Sequence, residues 1–395
     1  MDPRTNPYAP GAGTRPPELT GRNNLIEKAD IAMERARAGL STRGLIMVGL
    51  RGVGKTVLLN HLSQNAEAKG FATLFVEAPE KRSLPALLIP ALRSMLLKLD
   101  RMSPSGPIKI IKNTLRVLGS FVETMRFKYA DVELSVELEK QKGIADSGDL
   151  EHDLTELFIE IGLAVKEKNT ALIFFIDEIQ YIKESEFAAL IMALHKCAQK
   201  QLPVLLIGAG LPQLIGQAGK AKSYAERLFE YPEIGPLTPE DAIKAIQIPA
   251  ERLHVNYQKN ALSEIIKQTS AYPYFLQEWG KHCWNLANKS PICLDDVYFA
   301  TELAISELDA SFFRVRFDRL TPSEKKYLRA MAELEFQACR SGDIANMLNR
   351  EVQSVAPIRA SLINKGMIYS PSHGDTTFTV PLFGEYIKRV IPTLN

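Results

Sequence analysis

Short, nearly unbroken apolar runs punctuate the first half of the chain, at Gly44–Val48, Ala72–Val76, Ala171–Ile176 and Leu202–Gly208. Each is rich in Val, Ile, Leu or Phe and is bounded by polar or glycine-bearing segments, the pattern of a strand buried on both faces. Between the runs, apolar residues recur at every third or fourth position. That spacing predicts a helix ending at Arg37, another after Lys55 and a third over Leu84–Leu99. Thr20 or the pair Asn23 and Asn24 would cap the first of these. Strands alternating with helices predict a parallel sheet in an α/β body.

The alternation has clear limits. Residues 1–18 are rich in Pro, Gly and Thr without an apolar period and read as a flexible or draped arm, with order beginning near Leu19. Residues 101–149 interrupt the α/β rhythm like an insertion. Within them Ile108–Met125 has helical spacing, and Val132, Leu134, Val136 and Leu138 alternate with Glu133, Ser135, Glu137 and Glu139 as in a half-exposed strand. Such a strand needs an edge to pair with, so the segment reads either as a docking element for a protein partner or as a family decoration. Beyond Pro236 helical spacing dominates, starting at Thr238-Pro239-Glu240-Asp241, where Thr238 is the expected N-cap and Pro239 the first helical residue. The division that follows is an arm (1–18), a core (19–237), a helical segment (238–318) and a C-terminal domain (319–395).

Candidate chemistry concentrates where two of the apolar runs end. After Gly44–Val48 comes Gly49-Leu50-Arg51-Gly52-Val53-Gly54-Lys55-Thr56, a complete G-x-x-x-x-G-K-[ST] phosphate loop, and Val57 continues into a helix. Strand, glycine loop and helix are the context this motif requires. The glycines let backbone N–H groups turn toward anionic oxygens, and the helix N-terminus adds the positive end of its dipole. Lys55 is the expected partner of the β- and γ-phosphates of ATP or ADP, and Thr56 the hydroxyl ligand of Mg²⁺. After Ala171–Ile176 comes Asp177-Glu178. Asp177 at the strand tip would complete the Mg²⁺ site, and Glu178 would polarise the water that attacks the γ-phosphate.

Composition narrows the class without naming a partner. The 395 residues carry a formal charge of +2, which excludes a global attraction to nucleic acid or anionic membrane and leaves only local patches. Four cysteines, Cys197, Cys283, Cys293 and Cys339, are scattered without metal-ligand spacing and read as reduced core residues. No basic-then-apolar leader opens the sequence and no apolar run approaches the length of a membrane span, so the cytoplasm is the expected location.

Taken together, these motifs resemble an AAA+ or related STAND-type P-loop ATPase, of the branch that includes archaeal-ATPase-like and origin-recognition proteins. The resemblance covers about residues 18–390. It implies a sheet in the order 5-1-4-3-2, an α-helical lid and a C-terminal winged helix-turn-helix. It also implies that Gly21-Arg22 lies against the adenine end of the nucleotide, and that Pro273, in Ala271-Tyr272-Pro273, packs on the base. Pro273 equally fits a helix start. Arg227 falls where the family often carries an arginine finger for a neighbouring subunit, and equally fits a surface ion pair with Glu226 or Glu230. Two expected residues are missing. The tip of the fourth strand reads Gly208-Ala209-Gly210, with no polar sensor, and no arginine stands at the second sensor position.

In the C-terminal domain, helices opening at Thr321, Ser341 and Ser354 precede two strands, Gly366–Ser370 and Thr376–Val380, joined at Ser372-His373-Gly374-Asp375. The third helix offers Arg359, Asn364 and Lys365 to double-stranded DNA. The linker Leu308–Leu320 alternates aromatics with arginines and fits either base stacking or a packed domain junction. Three readings stay open: a DNA-associated ATPase, an ADP/ATP switch latched by the winged helix that forms a homo-oligomer on binding ATP, and an ATPase subunit docking a partner through residues 101–149.

Overall fold

The four predicted strands form, and a fifth that periodicity does not reveal joins them. The computed structural model describes every residue except 12, 79–80, 102–108, 133–138, 335–337, 373 and 395. Two compact units result: Arg22–Gly49 with Lys55–Ile234, and Met1–Gly21 with Leu50–Gly54 and Gly235–Asn395.

The first unit runs α1 (Asn23–Arg37), β1 (Gly44–Val48), α2 (Lys55–Ala68), β2 (Ala72–Glu77), α3 (Leu84–Arg101), α4 (Lys109–Lys128), α5 (Leu150–Glu167), β3 (Leu172–Asp177), α6 (Glu184–Gln199), β4 (Val204–Gly210), α7 (Leu214–Ala221), α8 (Ala225–Leu228) and β5 (Phe229–Glu230). The sheet is parallel in the order β2-β3-β4-β1-β5, which is the expected 5-1-4-3-2. Every residue of β1 and β3 is buried, as their unbroken apolar sequences require. With only two residues, Phe229 and Glu230, β5 is too short to have a period.

Two expectations need correction here. Arg22 occupies the N-cap of α1 and makes no side-chain capping bond there. Neither Thr20 nor the Asn pair caps it: Asn23 and Asn24 lie inside the helix, and the Thr20 hydroxyl donates to the Asp241 carbonyl at 3.0 Å. The 101–149 segment also contributes more to the core than an appended decoration would. In α4, Ile111, Val117, Leu118, Phe121 and Met125 are fully buried in one apolar core with residues of α3 and α5. The strand expected over Val132–Leu138 falls, from 133 onward, outside the described residues.

The second unit begins with a helical array: α9 (Pro239–Glu251), α10 (Lys259–Thr269), α11 (Pro273–Leu286) and α12 (Leu294–Leu308). Thr238 caps α9 by accepting from Asp241 N, with Pro239 at the first position. The arm sequence has no period, yet its start is held on these helices by single anchors. Tyr8 is buried, its hydroxyl donates to Ile246 O at 2.5 Å, and its ring lies where a side chain at Gly280 would stand. Trp284 Nε1 donates to Asp2 O at 3.0 Å. One aromatic residue in a proline-rich stretch leaves no periodic signal, and only the tertiary partner reveals it.

After a π-turn at Asp309–Phe313 the chain continues through α13 (Arg314–Asp318), α14 (Pro322–Leu334), β6 (Cys339–Arg340), α15 (Ser341–Met347), α16 (Val352–Asn364), β7 (Ile368–Tyr369), β8 (Asp375–Phe378) and α17 (Phe383–Val390). The strands make a small antiparallel sheet in the order β6-β8-β7. The linker aromatics are packed inward. Phe313 stacks on Phe383 and Tyr386, Phe312 stacks on Tyr274 at 4.9 Å, and the Arg316 guanidinium covers Phe312 at 3.9 Å. Among the described residues no helix is long and apolar enough to cross a membrane.

Candidate nucleotide site

β1 ends at Val48, and Gly49 turns the chain while its N–H donates to Gly210 O at 3.2 Å. Gly52 and Gly54 take φ of +85° and +90°, a region closed to most side chains, so the glycines of this loop answer a conformational demand. Lys55 opens α2. It is only 7% exposed, and its Nζ donates to Gly49 O at 2.9 Å, which folds the ammonium back over the loop.

From β3 comes the carboxylate. Asp177 is 1% exposed and accepts from Thr56 Oγ1 at 2.6 Å and from Glu178 N at 2.9 Å. Burial pushes its carboxyl above the usual carboxylate range, against the pull of the Thr56 bond. A hydroxyl and a carboxylate held together, oxygen donors only, suit a hard divalent cation, whose charge would offset the desolvation. Glu178 follows at φ +52°, a left-handed conformation for a residue with a side chain. Such strain at the tip of a buried strand is characteristic of functional positions.

The structure adds a residue that sequence reasoning passed over. Gln180, in the short turn after β3, is 8% exposed; its Nε2 contacts Glu178 Oε2 and its Oε1 accepts from Leu211 N at 3.0 Å. It thereby ties Glu178 to the end of β4, where a polar sensor was expected. A Cβ at Gly210 would stand 2.7 Å from Gln180 Oε1, which explains the glycine there: the polar group arrives from the neighbouring strand's turn. The sequence signal available was the polar residue two places after Glu178. Gln180→Leu is expected to lower the ATP turnover number roughly ten- to hundredfold with KM little changed, because Glu178 loses its positioning partner. Unchanged turnover in steady-state kinetics would remove that role.

The remaining expected residues fall partly in the second unit. The loop's central residues, Leu50–Gly54, group with the second unit. There Arg51 N donates to Thr379 O at 3.1 Å, and Tyr274 N donates to Gly52 O at 3.2 Å. Pro273 is the first residue of α11. Ala271, two residues before it, takes φ +55°, so it keeps the backbone shape a glycine would have. Gly21 has φ +68°, and a Cβ there would lie 2.8 Å from Asp241 Oδ2, a packing reason for glycine independent of any nucleotide. Arg227 lines a cavity of about 780 Å³ with Lys28, Arg35, Arg43, His195 and Tyr224, a lining that includes no phosphate-loop residue and neither Asp177 nor Glu178. Glu230, one of its expected ion partners, pairs with Lys28 instead.

Sheet order, glycine loop and paired acids are those of the P-loop NTPase fold, and residues 18–207 match the family described as the AAA ATPase domain. Residues 310–387 match a family described as a domain of unknown function (DUF8462). No curated protein matches the chain. Among solved structures, the Walker-type ATPase PABY2304 of Pyrococcus abyssi is similar over 95% of this chain and 97% of its own, at 15% identity and a TM-score of 0.60. The RuvB Holliday junction branch migration motor of Thermotoga maritima aligns over 93% and 95% at 15% identity and TM-score 0.45. The Aeropyrum pernix ORC1 protein in complex with DNA aligns over 94% and 93% at 14% identity and TM-score 0.45.

Proposed function

We propose that this protein is a Mg²⁺-dependent ATPase that works as a nucleotide-controlled switch, with the C-terminal domain acting as a latch on the phosphate loop. In the chemical step, the loop amides and Lys55 hold the phosphates, and Glu178, oriented by Gln180, takes the proton of the attacking water. Thr56 and Asp177 would hold Mg²⁺, which when bound screens the charge that develops between the β- and γ-phosphates. Gly21, Arg22 and Pro273 are the candidates for the adenine end. Arg227 would serve a neighbouring copy's γ-phosphate on ATP-driven assembly.

The observation that carries the latch is the bond from Arg51 N to Thr379 O. A loop amide of the kind that cradles phosphate is engaged by the segment just after β8. Thr379 is itself pinned, fully buried, with its hydroxyl donating to Gly366 O at 2.6 Å. Reading residues 319–395 as a winged helix rests on α14, α15 and α16 followed by the β6-β8-β7 sheet.

A DNA-reading role has less support from the same domain. Arg359 donates to Thr376 Oγ1, Ser370 Oγ and Asp375 O, and Lys365 donates to Glu324 Oε2 and Arg319 O. Both cations that α16 would offer to DNA are spent bracing the domain. The expected hairpin-tip residue His373 lies outside the described residues. Partner docking through residues 101–149 would have to use groups other than the buried face of α4, such as Phe127, which is 90% exposed.

The purified full chain is expected to retain ADP and hydrolyse ATP slowly. Thr379→Val, which loosens the pinned segment, should speed ADP release roughly three- to tenfold, equivalent to about 1 kcal/mol. Fast basal hydrolysis with unchanged release in Thr379→Val would sink the latch. Stimulation by double-stranded DNA that fades with added salt would transfer support to the DNA-associated reading.

A further inference from the structure

Away from the phosphate site, α11 and α12 bring three metal-ligating side chains together. Glu278 and His282 stand one turn apart on α11, and Glu307 comes from the last turn of α12. Their ligand atoms lie within 4.8 Å of one another. His282 Nε2 is 3.1 Å from Glu307 Oε2 and 3.9 Å from Glu278 Oε2.

Burial makes this more than a surface charge cluster. Glu278 is 6% exposed and His282 8% exposed, and Glu278 Oε2 and His282 Nε2 are buried at ion-pair distances from Lys281 and Glu307 without making a hydrogen bond of good geometry. Lys281 bridges the two carboxylates, with Nζ 2.7 Å from Glu307 Oε1 and 3.6 Å from Glu278 Oε2, the second too long for a hydrogen bond. One cation between the three ligands would satisfy Glu278 Oε2 and His282 Nε2 together.

We propose that Glu278, His282 and Glu307 form a binding site for a divalent first-row transition cation such as Zn²⁺ or Mn²⁺. Metal–ligand bonds of about 2.0–2.2 Å require ligand atoms roughly 3.0–3.5 Å apart. His282 Nε2 and Glu307 Oε2 at 3.1 Å already meet that requirement, and Glu278 would move toward both to complete the set. An imidazole with two carboxylates suits Zn²⁺ or Mn²⁺ and discriminates against Mg²⁺, which takes oxygen ligands and keeps its waters. The half-exposed Glu307 gives a path of entry, and Lys281 can swing to solvent as the cation arrives. Three protein ligands leave positions for water. One ligand is oriented from outside the cluster: Glu278 Oε1 accepts from Tyr274 OH at 3.1 Å. Because Tyr274 N also donates to Gly52 O, a bound cation would stiffen the residue that holds the crest of the phosphate loop.

The test is calorimetric titration of the full chain with Zn²⁺ and with Mn²⁺, in excess Mg²⁺ so that the phosphate site is saturated. One site per chain is expected, weakened at least about a hundredfold in His282→Ala and in the more exposed Glu307→Gln, and tightened about tenfold in Lys281→Met, which removes the competing ammonium. Circular dichroism of each variant checks that it is folded. Co²⁺ should give visible d–d absorption that disappears in His282→Ala. Wild-type affinity in both folded ligand variants, or no binding in either the parent or Lys281→Met, overturns the proposal.

Discussion

Glu178→Gln is expected to lower steady-state ATP hydrolysis by about 10²–10⁴-fold, the usual contribution of a general base, while ATP affinity stays within about threefold. The side chain keeps its size and its contact with Gln180, so the left-handed turn at φ +52° and the site around it should persist. Only the ability to accept the water proton goes. The measurement is single-turnover hydrolysis beside equilibrium binding of a fluorescent nucleotide. Equal turnover in variant and parent would remove Glu178 as the base, and a parallel collapse of binding would show that it acts by holding the fold. The variant also separates this base from Gln180: if Gln180 acts only through Glu178, Gln180→Leu adds little to the Glu178→Gln defect, whereas independent roles would multiply.

Lys55→Ala carries the second large effect. Nucleotide affinity is expected to fall by at least about a hundredfold, roughly 3 kcal/mol, because a buried ammonium that would face the β- and γ-phosphates is removed along with its hydrogen bonds. Lys55 Nζ donates to Gly49 O at 2.9 Å, and circular dichroism of the variant separates loss of binding from loss of fold. Competition binding with ADP and ATP provides the check, and the two nucleotides separate two roles. Loss confined to ATP would assign Lys55 to the γ-phosphate, equal loss to the β-phosphate. Unchanged binding of both would refute a phosphate role for this lysine.

Much of the sheet and of the candidate site's geometry was legible in the sequence because both are local. Gly44–Val48 and Leu172–Asp177 are strands buried on both faces, and a strand with no solvent side needs no polar alternation. The phosphate loop is legible for a related reason: its glycines, lysine and threonine act through backbone shape and a single helix start, all within eight residues. Thr238 capping α9 is equally local, since donor and acceptor are three residues apart.

What sequence could not supply depends on partners distant along the chain. Gly210 has no visible reason to be glycine until Gln180 arrives beside it from the turn after β3. Tyr8 is an isolated aromatic until Gly280, well over two hundred residues away, offers the flat surface it lies on. Arg359 and Lys365 look like cations free for DNA, and only packing shows them spent on Thr376, Ser370 and Glu324. The same holds for Glu278, His282 and Glu307: an i, i+4 pair on one helix is unremarkable until a second helix delivers the third ligand. Local spacing therefore determined the fold class and the shape of the glycine loop, because dihedral preference and burial period act over a few residues. Tertiary structure decided which polar groups are spent and which converge, because a hydrogen bond or a ligand set depends on where distant segments meet.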